Sequence, residues 1–287
     1  MSRLPQLSIV VLVKDEAARL PRFFKALRPL RLRHEVLVVD SGSRDRTAAI
    51  ARAAGARVLR RPWQGFAQTR NRAFKDCRAP WILVLDADEN PDGGLLAAIE
   101  RAVTLEPRGL WRANRLNYFL GSPVRHSGWH PDRHLRLFPK GAARFDDRVV
   151  HEGMRSLDAA LKVRDLDGLL HHHSYDDVQS YLERLNRYST LQAQELLQRK
   201  GVRPGVALLR MLADPPLTFV KMFGLKRGFL DGHLGLHVAL LSASASFWKY
   251  AKWWHACWTA RGGKAGTPWP LLPGAKAPRL GSPEDYR

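Results

Sequence analysis

A chain of 287 residues with 45% hydrophobic and 26% charged residues has ordinary globular composition, which excludes a disordered chain and a multispanning membrane protein. Its 47 Lys and Arg against 27 Asp and Glu leave a formal net charge of +20, which favours polyanionic partners: nucleic acid, acidic lipid headgroups or phosphorylated ligands. The two cysteines, Cys77 and Cys257, are too far apart for a zinc spacing and too few for a disulfide framework, so a reducing compartment is expected.

The first apolar run, Leu7 to Val13, is too short for a signal-peptide core. It leads straight into Lys14-Asp-Glu16 without a small-residue cleavage site, and is expected to be a strand in a protein that is not exported. Ala17 to Leu27 then carries apolar residues at helical spacing. The alternation repeats: Glu35 to Val39 reads as a second strand, Thr47 to Ala54 as an Ala-rich helix and Arg57 to Leu59 as a third strand. Gln68 to Cys77 reads as a helix and Trp81 to Leu85 as a fourth strand.

Strands apolar on both faces and separated by helices predict an α/β fold, a mostly parallel sheet flanked by helices. Ligands of such sheets bind beyond the carboxyl ends of the strands. Here those positions hold Lys14-Asp-Glu16, Asp40-Ser-Gly-Ser-Arg-Asp45, Arg60-Arg-Pro62 and Asp86-Ala-Asp-Glu89. Neither Gly-x-Gly-x-x-Gly nor Gly-x-x-x-x-Gly-Lys-Ser/Thr follows the first strand, so the dinucleotide and P-loop fingerprints are lacking.

Asp86 and Asp88, as Asp-x-Asp after a buried strand, would set two carboxylates on one side of the extended chain. Hard divalent cations such as Mg2+ or Mn2+ accept such ligands, and can bridge them to a diphosphate and ease its departure. Asp40, directly after the second strand, can accept hydrogen bonds from a base or ribose; Ser41, Gly42 and Ser43 permit a tight turn. The competing reading of that run is an ordinary strand-to-helix loop capped by Ser43 or Asp45.

Beyond Leu110 the pattern is mixed, with strand-like stretches at Trp111 to Leu120 and Leu135 to Phe138. Arg133 and Arg136 are candidate contacts to phosphate on donor or acceptor. In His171-His172-His173 one imidazole could reach the metal or diphosphate, or the triplet could be a solvated loop. A helix is expected to begin at Ser174 as cap, with Val178, Tyr181, Leu182, Leu185 and Tyr188 on one face. Leu234 to Trp248 is mostly apolar but falls short of the ~20 residues needed to cross a bilayer. The Lys, Trp and Phe around it suit a headgroup interface, or else a helical subdomain packed on the core. The Gly-, Pro- and Lys-rich segment from Arg261 is expected to be a flexible tail.

Taken together, Lys14-Asp-Glu16, Val39-Asp-Ser-Gly-Ser-Arg-Asp-Arg-Thr47, Gly65-Phe-Ala-Gln-Thr-Arg-Asn71 and Leu85-Asp-Ala-Asp-Glu89 resemble glycosyltransferase family 2, inverting enzymes of GT-A fold. Arg133-His-Leu-Arg-Leu-Phe138, Arg144-Phe145, Val150-His-Glu152 and His171-His-His-Ser-Tyr175 are similar to the subgroup of lipopolysaccharide core β-glucosyltransferases. Asp15 departs from the family, where Asn is frequent.

The resemblance implies a GT-A catalytic domain over residues 1–173, a helical and membrane-associating region over 174–260, and the tail over 261–287. It implies that Glu16 and Asp40 hold the uridine base or ribose, that Arg70 lies beside the nucleotide, and that Asp86 and Asp88 face ribose, diphosphate and a divalent metal; of the triplet, His173 is the candidate to join Asp88 on the metal. Glu152 would be the general base. The implied reaction is transfer from a nucleotide sugar, UDP-glucose foremost, to the lipopolysaccharide inner core or another lipid-linked or cell-surface glycan, by a peripheral protein on the inner face of the cytoplasmic membrane. A sugar nucleotidyltransferase, which would need a Gly-rich basic first loop, and a non-enzymatic basic binder of membrane or nucleic acid are the competing classes.

Overall fold

The computed structural model describes residues 4–105, 108–146, 153–175 and 177–260. They form two compact units, one of residues up to Tyr118 with His130–Ser174, the other of Phe119–Trp129 with the chain from Tyr175 onward. The segment Phe119–Trp129, expected within the catalytic domain, therefore groups with the helices.

In the first unit, β1 (Leu7–Val13), β2 (His34–Asp40), β3 (Arg57–Arg60) and β4 (Trp81–Asp86) alternate with α1 (Leu20–Leu27), α2 (Thr47–Ala53) and α3 (Phe66–Asp76). These strands pair in parallel in the order β3-β2-β1-β4. Two-sided burial explains their apolar composition. Ile9, Val11 and Val13 pack on one face with Leu20, Phe23 and Ile99, whereas Val10, Val39 and Val84 pack on the other with Ala67, Phe74 and Phe138.

After β5 (Glu89–Pro91), α4 (Gly93–Leu105) and β6 (Leu110–Phe119) comes a two-residue strand, β7 (Ser122–Pro123), and then β8 (Asp132–Pro139). β8 runs antiparallel to both β4 and β6, so the sheet changes direction at β4. β9 (Ala143–Phe145) pairs with β10 (Met154–Ser156). β11 (Val163–Asp165) pairs with β6, and β12 (Leu170–Tyr175) runs antiparallel to β5.

One tight turn holds the β5–α4 corner. Asp92 caps α4 by accepting from the Leu95 amide at 2.7 Å and accepts from the Leu169 amide at 3.0 Å through its other oxygen. This draws Gly168 so close that a Cβ there would lie 2.1 Å from the Leu95 nitrogen.

The second unit is helical: α5 (Val178–Lys200), α6 (Pro204–Phe219) and α7 (Gly232–Thr259), with a π-turn at Val220–Leu225 and a 3-10 turn at Gly228–Asp231 between the last two. The helix expected to start at Ser174 starts later. Ser174 ends inside β12, and Asp177 is the cap, accepting from the Ser180 amide at 2.6 Å. A carboxylate three residues before a free amide is as good a cap as a serine, and the Ser174 hydroxyl is used within the sheet.

Phe119 and Val124 pack with Tyr181, Leu234 and Val238, and Asp231 accepts from the His126 amide at 2.8 Å, which explains why that segment belongs with the helices. Lys252 ties α7 to α5, donating to the Asn186 side chain, Ser189 and Thr190 at 2.7–2.8 Å. The aromatics of α7 divide: Trp253 is fully buried with Cys257, Ala193 and Ala207, while Trp248 is exposed. The expected tail from Arg261 lies outside the described residues.

Gly168→Ala combines a left-handed φ of +88° with backbone overlap, and is expected to lower the unfolding free energy by about 3 kcal/mol or more. Urea titration of the two proteins checks it, a loss below about 1 kcal/mol contradicting the packing described for that corner.

Candidate active site

The carboxyl ends of β1, β2 and β4 meet in one polar cluster, built first from loop bracing. Asp15 adopts a left-handed conformation with φ 54°, tolerable for Asp and Asn because their short side chains bond locally. Its Oδ1 accepts from the Arg44 amide at 2.7 Å, while its own amide donates to Ser43 Oγ at 3.0 Å. Glu16 and Ala17 amides donate to Thr47 Oγ1 at 2.8 Å and Asp45 Oδ2 at 3.1 Å. The departure from Asn at position 15 thus leaves the loop intact, since loop amides need only an acceptor there.

Asp40 closes β2 with no exposed surface. Its Oδ1 accepts from the amides of Gly42 and Ser43 at 3.1 and 2.8 Å, so the loop-cap reading of this run holds for one oxygen. Oδ2 is buried and accepts no hydrogen bond among the described residues, with Arg60 Nε 3.7 Å away. Glu16 pairs with Arg19 at 3.1 Å. Burial raises its pKa, Arg19 offsets part of that, and the negative charges of Asp88 and Asp86 add to it, so the three carboxylates share one field.

At the end of β4, Asp86 accepts from Arg70 Nη2 at 2.6 Å, with Arg136 Nη2 at 3.7 Å. Burial alone would raise its pKa, but Arg70, Arg136, His172 and Arg115 hold it well below the usual carboxylate range. Arg70 comes from α3 and lies between the rings of Phe66 and Phe145, 5.5 and 5.0 Å from their centroids. Asp88 is likewise held low: burial opposes ionisation, the His172 imidazole favours it, and Asp86 opposes it.

The histidine triplet lies in strand β12 and therefore alternates. His173 faces Arg22, whose Nη2 donates to its Nε2 at 2.6 Å, and its ring lies 4.2 Å from that of Tyr118. His171 Nδ1 is 3.1 Å from the Tyr118 hydroxyl. The His172 imidazole reaches the Asp88 carboxylate, Nε2 to Oδ2 at 3.4 Å, and the His173 backbone amide donates to the Asp88 carbonyl at 3.0 Å.

Arg133 and Arg136 are three positions apart on β8, an odd spacing that sends them to opposite faces. Arg133 sits at the surface, 3.4 Å from Asp165. Arg136 is buried and bonded to Glu89 and near Asp86. Glu152 lies outside the described residues.

Sequence reasoning missed several members of this cluster. Glu89 is fully buried, bonded to Arg136, with Arg115 at 3.5 Å and the Asp86 amide donating to its Oε2 at 3.0 Å. Asp132 accepts from Arg115 and Asn117 at 2.7 and 3.0 Å. A fourth acid beside Asp-x-Asp was the available signal for Glu89; nothing local marks Asn117 or Asp132. Among the described residues no group of three or more His, Cys, Asp or Glu side chains is gathered to hold a metal.

The model for "Glycosyl transferase family 2" matches residues 8–157, more than half of the chain. The chain belongs to glycosyltransferase family 2. Its fold is GT-A, and the candidate site lies at the strand ends described above. Over 263 residues the chain is 28% identical to the lipopolysaccharide core biosynthesis glycosyltransferase LpsC of Rhizobium meliloti, covering 87% of this chain and 94% of that protein. It is also 28% identical to an uncharacterized glycosyltransferase of Rickettsia bellii, covering 86% and 85%. Among solved structures it is similar to glucosyl-3-phosphoglycerate synthase from Mycobacterium tuberculosis in complex with Mn2+, UDP and glucosyl-3-phosphoglycerate. That likeness is 24% identity over 40% of this chain and 44% of that one, with a TM-score of 0.34.

Asp86, Asp88 and Asp132 all have pKa values lowered by folding. Their stabilisation is therefore present above the unfolded-state value of about 4 and is lost as pH falls through the folded values. Asp132→Asn is expected to lose less stability than wild type between pH 7 and pH 3, as read from urea midpoints at the two pH values.

Proposed function

We propose that this family 2 glycosyltransferase transfers a sugar, glucose from UDP-glucose foremost, with inversion onto a membrane-associated glycan of the lipopolysaccharide core type, using a divalent cation. The observation that carries the reading is the convergence of Asp86 and Asp88, both held ionised, with Arg70 at the carboxyl end of β4. LpsC supports the acceptor class, its name giving lipopolysaccharide core biosynthesis and its match spanning most of both chains.

The donor set fits Mg2+ or Mn2+. Asp88 and an imidazole of β12, His172 by the geometry above or His173 by the sequence reading, leave the remaining coordination to donor phosphates and water, the usual arrangement for Mg2+ at a phosphate site. Bound there, the cation would neutralise charge growing on the departing diphosphate. Asp40 suits a nucleobase N–H, because its buried Oδ2 accepts no hydrogen bond among the described residues. Glu16, its pKa raised, suits a ribose hydroxyl. Arg70 supports the nucleotide side by orienting Asp86, and Arg136 acts through Glu89 and Asp86, while Arg133 remains available to acceptor phosphate. Glu152 is assigned as the base that takes the acceptor hydroxyl proton as that oxygen attacks the anomeric carbon.

Membrane attachment is part of this reading. No helix among the described residues is long and apolar enough to cross a membrane. Exposed Leu209, Leu212, Leu217, Leu225 and Phe229 lie along α6 and the turns after it, among exposed Lys221, Lys226 and Arg227. Apolar side chains flanked by cations are the pattern of an interfacial helix on an anionic leaflet, here the inner face of the cytoplasmic membrane.

Asp88→Asn is expected to abolish transfer and metal-dependent UDP binding with circular dichroism unchanged, and wild-type activity that survives EDTA counts against the cation. Glu152→Gln is expected to keep donor affinity and reduce turnover by about 10²-fold or more, as checked by UDP-sugar binding beside single-turnover rates; lost donor binding would move Glu152 to the donor site. Replacing Lys221, Lys226 and Arg227 with Gln is expected to weaken binding to vesicles rich in acidic lipid by on the order of 100-fold, at about 1 kcal/mol per charge. Co-sedimentation measures it, and undiminished binding places attachment elsewhere.

A further inference from the structure

We propose that Asn117 and Asp132 are positioning residues for the cation at Asp88, fixing the tautomer of His172 that turns a bare Nε2 toward that carboxylate. This rests on the metal-dependent reading above, and it follows from donor and acceptor accounting along one buried chain of side chains.

The chain starts at Asp132, whose pKa is held below the usual carboxylate range: burial opposes ionisation, but His134, Arg115 and Asn117 together outweigh it. An ionised carboxylate only accepts. The Asn117 amide therefore presents its Nδ2 to Asp132, at 3.0 Å, since the reversed amide would set oxygen against oxygen. That orientation leaves Asn117 Oδ1 facing His172 Nδ1 at 2.7 Å. An amide oxygen also only accepts, so Nδ1 must carry a proton.

Ser174 Oγ, 2.8 Å from Nδ1 and 3.2 Å from Nε2, can donate or accept and does not alter the assignment. With Nδ1 committed as donor, the 3.4 Å gap between Nε2 and Asp88 Oδ2 holds either a second proton or a metal cation. In the neutral ring two acceptors face each other there, and a cation is what reconciles them. Metal-binding histidines commonly donate their other ring N–H to a carboxylate or carbonyl that sets the tautomer. Here an amide relays that instruction from a carboxylate one residue further out. Asn117 and His172 are both buried at 8% exposure, so solvent does not supply the partner instead.

The test uses full-length protein and two readings. One is the 15N NMR tautomer of His172 without metal, at about pH 8.5, above the ordinary histidine range, with its resonances identified by their loss in His172→Gln. The other is Mn2+ binding in the presence of UDP, followed by electron paramagnetic resonance. Wild type is expected to show the Nδ1–H tautomer.

Asp132→Asn lets the Asn117 amide turn round, and is expected to shift His172 toward Nε2–H and to weaken Mn2+ by about 10- to 100-fold. Asn117→Asp combined with Asp132→Asn exchanges carboxylate and amide along the same chain, keeps an acceptor at Nδ1, and is expected to restore the tautomer and most of the affinity. A merely structural role predicts no such recovery. An Nε2–H tautomer in wild type overturns the proposal even if both variants fail to fold, as does a folded Asp132→Asn protein with tautomer and Mn2+ affinity unchanged. Wild type that shows the Nδ1–H tautomer but binds no Mn2+ with UDP overturns the metal-dependent reading instead, and with it the purpose assigned to this chain.

Discussion

Two carboxylates, Glu89 fully buried and Asp86 partly so, stand at the point where the sheet changes from parallel to antiparallel. An unpaired charge in such a place is untenable, because desolvation costs several kcal/mol per ion. Arg70 from α3, Arg136 from β8 and Arg115 from β6 answer it. Each arginine belongs to a different element, so the need to compensate buried charge links the parallel strands to the antiparallel ones through the site itself. The same pairing explains why a carboxylate at the end of a fully apolar strand stays ionised, which a cation-binding role requires.

Around this cluster the loops are held by short acceptors rather than by apolar packing. Asp15, Asp40, Asp45 and Thr47 take up backbone amides across the β1 and β2 ends. A loop whose amides are already satisfied keeps its shape in the absence of ligand, so ligand binding need not order it first. Glu16, paired with Arg19, and the second oxygen of Asp40 are the acceptors that this bracing does not use.

The parallel half of the fold was legible because two-sided burial writes itself as continuous apolar runs such as Leu7 to Val13 and Trp81 to Leu85, and the residues just after them gather in the polar cluster of the candidate site. Helix starts were less legible. Ser174 and Asp177 are both sound caps locally, and only the pairing of β12 in the sheet decides between them. Arg136 read as a phosphate ligand because its buried partner, Glu89, lies 47 residues away. The His172–Asn117 contact spans 55 residues, and no local spacing encodes it. Interfacial aromatics were over-read in α7 for a related reason: Trp253 is a core residue, and helical spacing alone does not tell a buried stripe from an exposed one.

The net charge of +20 takes a different meaning once it is divided. In the first unit, Arg57, Arg70, Arg115 and Arg136 are occupied by Glu35, Asp86, Asp132 and Glu89, pairs that add nothing to the net charge, and the excess there comes from exposed cations such as Arg28, Arg44 and Arg72. In the second, Arg210 pairs with Asp214, whereas Lys221, Lys226 and Arg227 are exposed beside leucines that water does not favour. Charge that compensates a buried acid is silent outside the protein; charge beside exposed apolar surface is felt by an anionic neighbour within about 10 Å. The excess is shared, about +11 in the first unit and about +9 in the second, so the composition argument for a polyanionic partner belongs to both, and what sets the helical unit apart is that its exposed cations stand beside exposed leucines.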